Sequence, residues 1–204
     1  GLGFRPELYN MLHSAGESVD FVGPEGASPY EGHFYPGQNL EDFYPQSFGN
    51  GSGTGVNDLA ETLDLYQPSV VMIHLGANDL TAETNLSPYS NNGGQTMAHS
   101  TAGNVGELVN YVLQWRDGTE GNFVEHIFVS QIVPRGDREN ETVELNDEII
   151  RLIDDFAAGA ITGQSEPVHM VDHYPPFDTN PDLFTGNGND YMAEDLHPND
   201  RGYD

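Results

Sequence analysis

Two short polar clusters in the sequence contain the residue types that acyl-transfer chemistry requires. The first, Gly76-Ala-Asn-Asp79, presents a side-chain amide beside a carboxylate. The second, Glu194-Asp-Leu-His-Pro-Asn-Asp200, places a histidine after two acids. An amide can donate a hydrogen bond to a developing oxyanion, and a histidine oriented by a carboxylate can activate a hydroxyl group. The two clusters together favour an acyl-transfer site.

Each cluster on its own also has a purely structural interpretation. Asn78 and Asp79 belong to the residue types that form turns for local backbone reasons. His197 is one of eight histidines in the chain, and Pro198 fixes a turn directly after it. The argument for chemistry therefore depends on the two clusters occurring in one fold.

The first cluster follows the apolar run from Val70 to Leu75, which lies between Pro68 and Gly76. A short apolar run between such residues predicts a buried strand of a parallel sheet. Ligands of open α/β sheets bind at the carboxyl ends of strands. The cluster is therefore expected at the functional edge of the sheet.

Helices and strands alternate along the whole predicted chain. Apolar residues at helical spacing predict helices over 5–15, 56–66, 105–113 and 145–156, and apolar runs predict strands over 18–22, 70–75, 126–133 and 168–171. This alternation predicts an α/β fold, in which helices cover both faces of a parallel sheet. The chain of 204 residues fits a single domain.

The charge of the chain excludes several classes of partner. It has 33 acidic residues and 6 basic ones, all arginine, for a formal charge of −27. Such a surface repels nucleic acid and anionic membranes, and no apolar run is long enough to span a bilayer. The acidic surface and three glycosylation sequons, at Asn50, Asn85 and Asn140, favour an extracellular glycoprotein. Cysteine is absent, so disulfides are excluded.

Taken in order, the two clusters resemble those of the SGNH (GDSL-type) hydrolases. The resemblance is greatest to carbohydrate-esterase and acetylxylan-esterase-like members. Further segments agree in the same order, namely Gly3–Tyr9, Val19–Gly23, Tyr30–His33 with Pro36-Gly37, and Asp195–Tyr203. The resemblance implies a three-layer sandwich around a flavodoxin-like parallel sheet.

The resemblance implies a role for the histidine cluster. His197 matches the general base of the family. The triad acid stands three residues before that histidine, and this position is Glu194. Asp195 occupies the next place and is the competing candidate, because the extra methylene of glutamate changes its reach.

The same resemblance implies an oxyanion hole. Asn78 matches the family's side-chain donor, and Gly37 offers a backbone N–H as the second donor. Gly32 replaces Gly37 if the loop is aligned differently. Gly76 and Asp79 then support the turn that contains Asn78.

The family's nucleophile belongs to a Gly-Asp-Ser block that this sequence does not contain. The resemblance places that block and the first strand before Gly1, and a last helix after Asp204. Ser14, Ser18 and Ser130 are expected to have local structural roles. The domain 1–204 is thus expected to be incomplete at both ends, unless another segment or subunit supplies the strand. An intact mass near 22.3 kDa with no associated peptide would contradict an incomplete record.

The implied function is a secreted serine esterase that removes acyl groups, chiefly acetyl, from carbohydrate, with no cofactor and no metal among its site residues. The alternative is an inactive carbohydrate-binding or structural subunit with the same fold. The calcium-like segment Asp178–Asp182 lacks the glycine and glutamate of a calcium loop, and the pair His169 and His173 has no evident third ligand. The aromatic segment Tyr30–Tyr44 fits either a sugar-stacking wall or the edge of the core.

Overall fold

A computed structural model of the protein describes residues 4–33, 40, 59–80, 97–118, 124–133 and 138–173. These ranges contain helices and strands in the order α1, α2, β1, α3, β2, α4, β3. The helices are α1 (Arg5–Ser14), α2 (Leu59–Tyr66), α3 (Met97–Gly118) and α4 (Glu139–Ala157). The strands are β1 (Val70–Ile73), β2 (His126–Ser130) and β3 (Val168–Val171).

The three strands form a parallel sheet in the order β1-β2-β3. Val70 pairs with His126, and Ile127 pairs with Val168. Parallel strands require a crossover between them, and α3 and α4 supply the two crossovers. The predicted α/β class and parallel sheet are therefore confirmed.

One face of the sheet packs against the helices. Ile73, Ile127, Val129 and Val168 belong to the same buried cluster as the apolar sides of α3 and α4. Helix α4 contributes a stripe at spacings of three and four residues, which is the period of one helical face; its apolar members are Leu145, Ile149, Ile153 and Phe156. This face carries most of the apolar burial of the described residues.

The opposite face of β1 is open to solvent. Val70 and Met72 are 43% and 42% exposed, whereas Ile73 is 6% exposed. Side chains alternate between the two faces of a strand, so only one face of β1 reaches the core. The predicted position of this strand was right, and its predicted burial holds for one of its two faces.

The predicted strand over 18–22 is not formed. Phe21 makes a single parallel bridge to Tyr30, and no ladder extends from it among the described residues. The segment is held instead by aromatic packing, because Tyr9 of α1 contacts the rings of Phe21 and Tyr30 at centroid distances of 6.4 and 5.7 Å. An alternating pattern without a neighbouring strand gives one bridge rather than a strand.

Helix α3 begins earlier than its apolar pattern predicts. The expected helix covered 105–113, and the polar residues before it were assigned to a loop. In the structure Thr101, Ala102 and Asn104 belong to the helix and are buried. Tertiary packing thus overrides the weak helical pattern of small and polar residues. Among the described residues, no helix is long and apolar enough to cross a membrane.

Candidate active site

The turn after β1 depends on Gly76. Its φ of +118° lies in the region that side chains with a Cβ rarely adopt. A Cβ at this position would stand 3.2 Å from Thr101 Cγ2 and 3.4 Å from Leu145 Cδ2. The glycine therefore lets the chain turn while α3 and α4 pack close beneath it.

Asp79 connects this turn to a distant part of the chain. The backbone N–H of Leu40 donates to both carboxylate oxygens of Asp79, at 3.1 Å to Oδ1 and 3.2 Å to Oδ2. Hydrogen bonds to an ionised acceptor are stronger than those between neutral groups. The side chain of Leu40 and that of Leu80, the residue after Asp79, are both fully buried. We call this contact the Asp79 tether.

Asn78 lies between the glycine and the tether, in a half-buried position of the same turn. The structure thus places it at the carboxyl end of β1, as the sequence predicts. The other residues predicted for the site lie outside the described ranges. They are Gly37, Glu194, Asp195 and His197. The assembly of the whole site therefore stays a prediction.

Gly32 is not a suitable alternative donor to the oxyanion. Its backbone N–H donates to the carbonyl oxygen of Glu25 at 2.9 Å, within a two-residue antiparallel bridge. The same segment passes close to Gly23, where a Cβ would approach the Gly32 carbonyl carbon to 2.1 Å. The N–H of Gly32 is thus committed to the backbone, and the alternative assignment to Gly32 is wrong.

A buried asparagine fixes the chain that leaves β2. Asn146 Oδ1 accepts a hydrogen bond from Ile132 N, and Asn146 Nδ2 donates to Ile132 O, both at 2.8 Å. Asn146 is 3% exposed, and it satisfies both backbone groups of one residue at the carboxyl edge of the sheet. Sequence reasoning missed it, although a polar residue beside Leu145 on the apolar stripe of a predicted helix was an available signal.

Two histidines meet at the carboxyl ends of the outer strands. His74 follows β1 and His173 follows β3, and their rings stand edge to face with centroids 5.7 Å apart. Desolvation, and to a smaller extent the nearby His173, lowers the pKa of His74 to about 4. More than a third of the His74 surface is still reached by water, so solvent screening reduces the free energy linked to this shift.

The second member of this pair shifts in the same direction. Desolvation lowers the pKa of His173, and the charge of Asp172 partly opposes the change. Both imidazoles are therefore neutral at neutral pH. The ring of His173 thus contacts His74, and the ring of His169 contacts His126.

The serines of the described chain lie in local structural positions. Ser14 is the last residue of α1 and Ser18 is exposed, while Ser130 ends β2 and is 5% exposed. The Ser130 hydroxyl is buried and makes no hydrogen bond within the described structure. These positions agree with the structural roles that the sequence predicts for the three serines.

Several further predictions concern residues outside the described ranges. These include the segment Asp178–Asp182, the sequons at Asn50 and Asn85, and most of the aromatic segment after Tyr30. Tyr30 itself packs edge-on against Tyr9. Asn140, the third sequon, is exposed near the start of α4.

Comparison with known proteins identifies the family. Residues 24–204 match the GDSL-like Lipase/Acylhydrolase family, so the chain belongs to that family. It is a carboxylic ester hydrolase by this membership, and the resemblance noted in the sequence is confirmed. A search of curated proteins finds no match.

Solved structures with a similar fold are carbohydrate and acetyl esterases. A carbohydrate esterase family 3 protein from Talaromyces cellulolyticus is 19% identical with a TM-score of 0.63, covering 98% of this chain and 84% of that one. A point mutant of an acetyl esterase with acetate ion is 21% identical with a TM-score of 0.60 and the same coverage. A Clostridium thermocellum family 3 carbohydrate esterase is 20% identical with a TM-score of 0.61, covering 98% and 79%. These likenesses confirm the SGNH fold.

Proposed function

We propose that this protein hydrolyses O-acetyl esters of carbohydrate with an SGNH-type site at the carboxyl edge of its sheet. The observation that carries the proposal is the Asp79 tether. It joins the turn that contains Asn78 to Leu40, and Gly37 stands three residues before Leu40 in the sequence. The tether thus supports a site in which the amide of Asn78 and the N–H of Gly37 act on one oxyanion.

The proposed reaction follows the usual course of acyl transfer through a serine. His197 removes the proton of the serine hydroxyl as the oxygen attacks the ester carbonyl, and Glu194 or Asp195 orients the imidazole. The negatively charged oxygen of the tetrahedral intermediate accepts hydrogen bonds from the backbone N–H of Gly37 and the side-chain amide of Asn78. Each of these is worth about 2.7–4 kcal/mol in comparable sites. The imidazolium then protonates the sugar oxygen as its bond to the acyl carbon breaks, which releases the sugar hydroxyl, and water hydrolyses the acyl-enzyme by the same route. The serine of this reaction is that of the Gly-Asp-Ser block, which the family resemblance implies for the complete polypeptide.

The substrate class is supported by the names of the structural neighbours. Two of the similar structures are family 3 carbohydrate esterases, and a third is an acetyl esterase. The acidic surface and the exposed Asn140 sequon support a proposal that the protein is extracellular. A fall in the mass of the protein from its native source on enzymatic deglycosylation would support that location, and an unglycosylated intracellular protein would contradict it.

A second candidate is an inactive relative that binds carbohydrate or forms part of an assembly. It stands as the second candidate because no residue of this sequence is assigned as the nucleophile. The two candidates differ in whether the complete natural polypeptide that contains these residues hydrolyses a simple ester.

Hydrolysis of p-nitrophenyl acetate by the complete polypeptide separates the two candidates. We expect wild-type protein to be active and His197→Ala to lose about 10²–10⁴-fold in kcat, because general-base catalysis is removed. Asn78→Ala is expected to lose about 10²–10³-fold in kcat with a smaller change in KM. His13→Ala, at an exposed position on α1, is the matched control and is expected to keep wild-type activity.

Absence of hydrolysis in the folded, complete polypeptide would overturn the enzymatic proposal and favour the binding protein. The pair Glu194→Gln and Asp195→Asn identifies the triad acid, because only the residue that orients His197 should lower kcat strongly. Acetate release from an acetylated xylo-oligosaccharide, measured beside p-nitrophenyl acetate, tests the carbohydrate specificity. Activity confined to the synthetic ester would contradict it.

A further inference from the structure

Asn146 holds the chain at the point where it leaves β2. Its Oδ1 accepts a hydrogen bond from Ile132 N and its Nδ2 donates one to Ile132 O, both at 2.8 Å. The two bonds close a ring around the backbone of one residue, two positions after the end of β2. An amide suits this position because it both donates and accepts, whereas a carboxylate only accepts. A residue of α4 thus fixes the backbone of Ile132 beyond the last pair of the sheet.

The side chain of Ile132 extends from this fixed backbone to the turn after β1. Ile132 is fully buried, and its Cδ1 lies 3.9 Å from the position that a Cβ would take on Gly76. Leu145, the residue before Asn146, places its Cδ2 3.4 Å from the same position, and Thr101 Cγ2 lies 3.2 Å from it. We call Thr101, Ile132 and Leu145 the floor of the turn.

The floor leaves the turn little room to move. All three of its members are buried, and protein interiors are packed densely enough to transmit a displacement to neighbouring groups. Gly76 stands two residues before Asn78 in the same turn. A shift of Ile132 is therefore expected to shift the backbone that carries the amide of Asn78.

We propose that Asn146 is a positioning residue for the ester hydrolysis proposed above, acting through Ile132 and the floor on the amide of Asn78. The inference rests on that proposed function, which assigns Asn78 as a donor to the oxyanion. Such a donor works only about 2.7–3.1 Å from the oxyanion. A misplacement of about 1 Å, even from a distant substitution, can cost about 10²-fold in rate. Asn146 is 3% exposed and acts through these contacts alone.

A purely structural role for Asn146 makes a different prediction. Loss of its two hydrogen bonds would then lower the fraction of folded protein, and each folded molecule would keep the wild-type kcat. A positioning role instead lowers the kcat of the folded molecules. It leaves KM nearly unchanged, because an interaction made only in the transition state affects kcat rather than substrate binding.

Kinetics of the complete polypeptide on p-nitrophenyl acetate test the inference. The rates are normalised to the folded fraction, which far-UV circular dichroism measures. Asn146→Ala is expected to lower kcat by about 10–10²-fold and to change KM by less than about twofold. Asn140→Ala, at an exposed position near the start of the same helix, is the control and is expected to keep the wild-type kcat.

Ile132→Val tests the same contact without removing the hydrogen bonds to Asn146, and it serves if Asn146→Ala does not fold. It removes Cδ1, the atom that approaches the turn, and is expected to lower kcat by about three- to tenfold. Ile153→Val is the matched control, because it removes the same atom at a buried position of α4. Ile153 lies about 10 Å further along the helix than Asn146, so wild-type kcat is expected.

Combination with Asn78→Ala shows whether the effect passes through Asn78. If the floor acts by placing this amide, Asn78→Ala removes the group that is placed. The variant with both Asn78→Ala and Asn146→Ala should then have the kcat of Asn78→Ala alone, within about twofold, and the same holds for Ile132→Val. Losses that multiply in the double variants would overturn the inference, as would wild-type kcat in the folded single variants.

Nuclear magnetic resonance separates this inference from the proposed function. The side-chain NH₂ signals of Asn78, identified by their loss in Asn78→Ala, are expected to move in Asn146→Ala and Ile132→Val and to stay in place in Ile153→Val. Unchanged signals in the folded Asn146 and Ile132 variants would overturn the inference, whether or not the protein is active. Moved signals in a protein that hydrolyses no ester would overturn the proposed function and support the coupling of Asn146 to Asn78.

Discussion

The two faces of the sheet have very different surroundings. On one face, Ile127 and Val129 of β2 are buried against α3 and α4. On the other face, Val70 and Met72 of β1 remain about two-fifths exposed, and His126 of the neighbouring strand lies 3.0 Å, between ring nitrogens, from His169. We call these the packed face and the open face.

We expect the packed face to contribute most of the folding stability and the open face to be available for contacts. Apolar area removed from water contributes about 25 cal/mol per Å², and within the described chain this contribution comes mainly from the packed face. The open face combines partly exposed apolar side chains with imidazoles that can reach solvent. It is therefore expected to tolerate substitution while the packed face does not.

The largest expected effect comes from truncation on the packed face. Ile127→Ala should lower the free energy of unfolding by about 2–5 kcal/mol, because it opens a cavity at a fully buried position. Met72→Ala on the neighbouring strand is the matched control and should cost less than about 1 kcal/mol. Urea unfolding measures both. Equal losses would contradict the distinction between the two faces.

A loss of comparable size is expected when the buried polar contact beneath the packed face is removed. Asn146→Ala leaves the N–H and C=O of Ile132 without their partners, at about 1–3 kcal/mol for each group. Asn140→Ala, at an exposed position on the same helix, should change the unfolding free energy by less than about 0.5 kcal/mol. Similar effects from the two substitutions would show that the Asn146 contact adds nothing to stability.

A pH-dependent effect is expected from His74 at the carboxyl edge. Its pKa is about 4 in the folded protein and 6.5 as a free side chain, so the unfolded chain binds the proton more readily between these values. Stability should therefore fall as the pH drops from about 6.5 towards 4. The shift of His173 in the same direction adds to this effect.

The contribution of His74 is isolated by comparison of unfolding midpoints at neutral pH and near pH 5. His74→Gln should reduce the loss of stability on acidification, whereas the exposed control His13→Gln should leave it unchanged. An unchanged slope in His74→Gln would show that carboxylates alone produce the acid sensitivity.

The smallest effect is expected on the open face. Val70→Thr replaces a methyl group by a hydroxyl at a position that is 43% exposed, where water can satisfy the new polar group. The unfolding free energy should change by less than about 0.5 kcal/mol. A loss above about 2 kcal/mol, measured by urea unfolding, would mean that this face is covered in the complete protein.

The fold was predictable wherever apolar spacing was strong. Strand β3 has its predicted bounds, and helix α4 contains its predicted apolar stripe but begins six residues earlier, at Glu139. The start of α3 was not predictable, since Thr101 and Ala102 are polar or small residues whose burial depends on tertiary packing. The sequence also could not predict that residues 18–22 form no strand, because strand formation depends on a neighbouring strand as well as on local sequence.

The candidate site was predictable in its parts rather than in its connections. The turn that contains Asn78 is where the sequence predicts it. The Asp79 tether joins residues 39 positions apart, and the Asn146 contact joins residues 14 apart. No local pattern encodes such contacts. The histidine pairs depend on strand register, which a single sequence does not specify.

The Asp79 tether also has a consequence for the rate of the proposed reaction. A donor on a free loop would have to be ordered each time a substrate binds, and that loss of conformational freedom would raise the barrier. Because the two hydrogen bonds to Asp79 hold the backbone of Leu40 in the folded protein, the entropy of ordering this residue is lost on folding, before a substrate binds. Well-oriented groups of this kind reach effective molarities of about 10⁵–10⁸ M. The carboxylate of Asp79 thus reduces the conformational entropy that the chain must still lose at Leu40 when an ester binds.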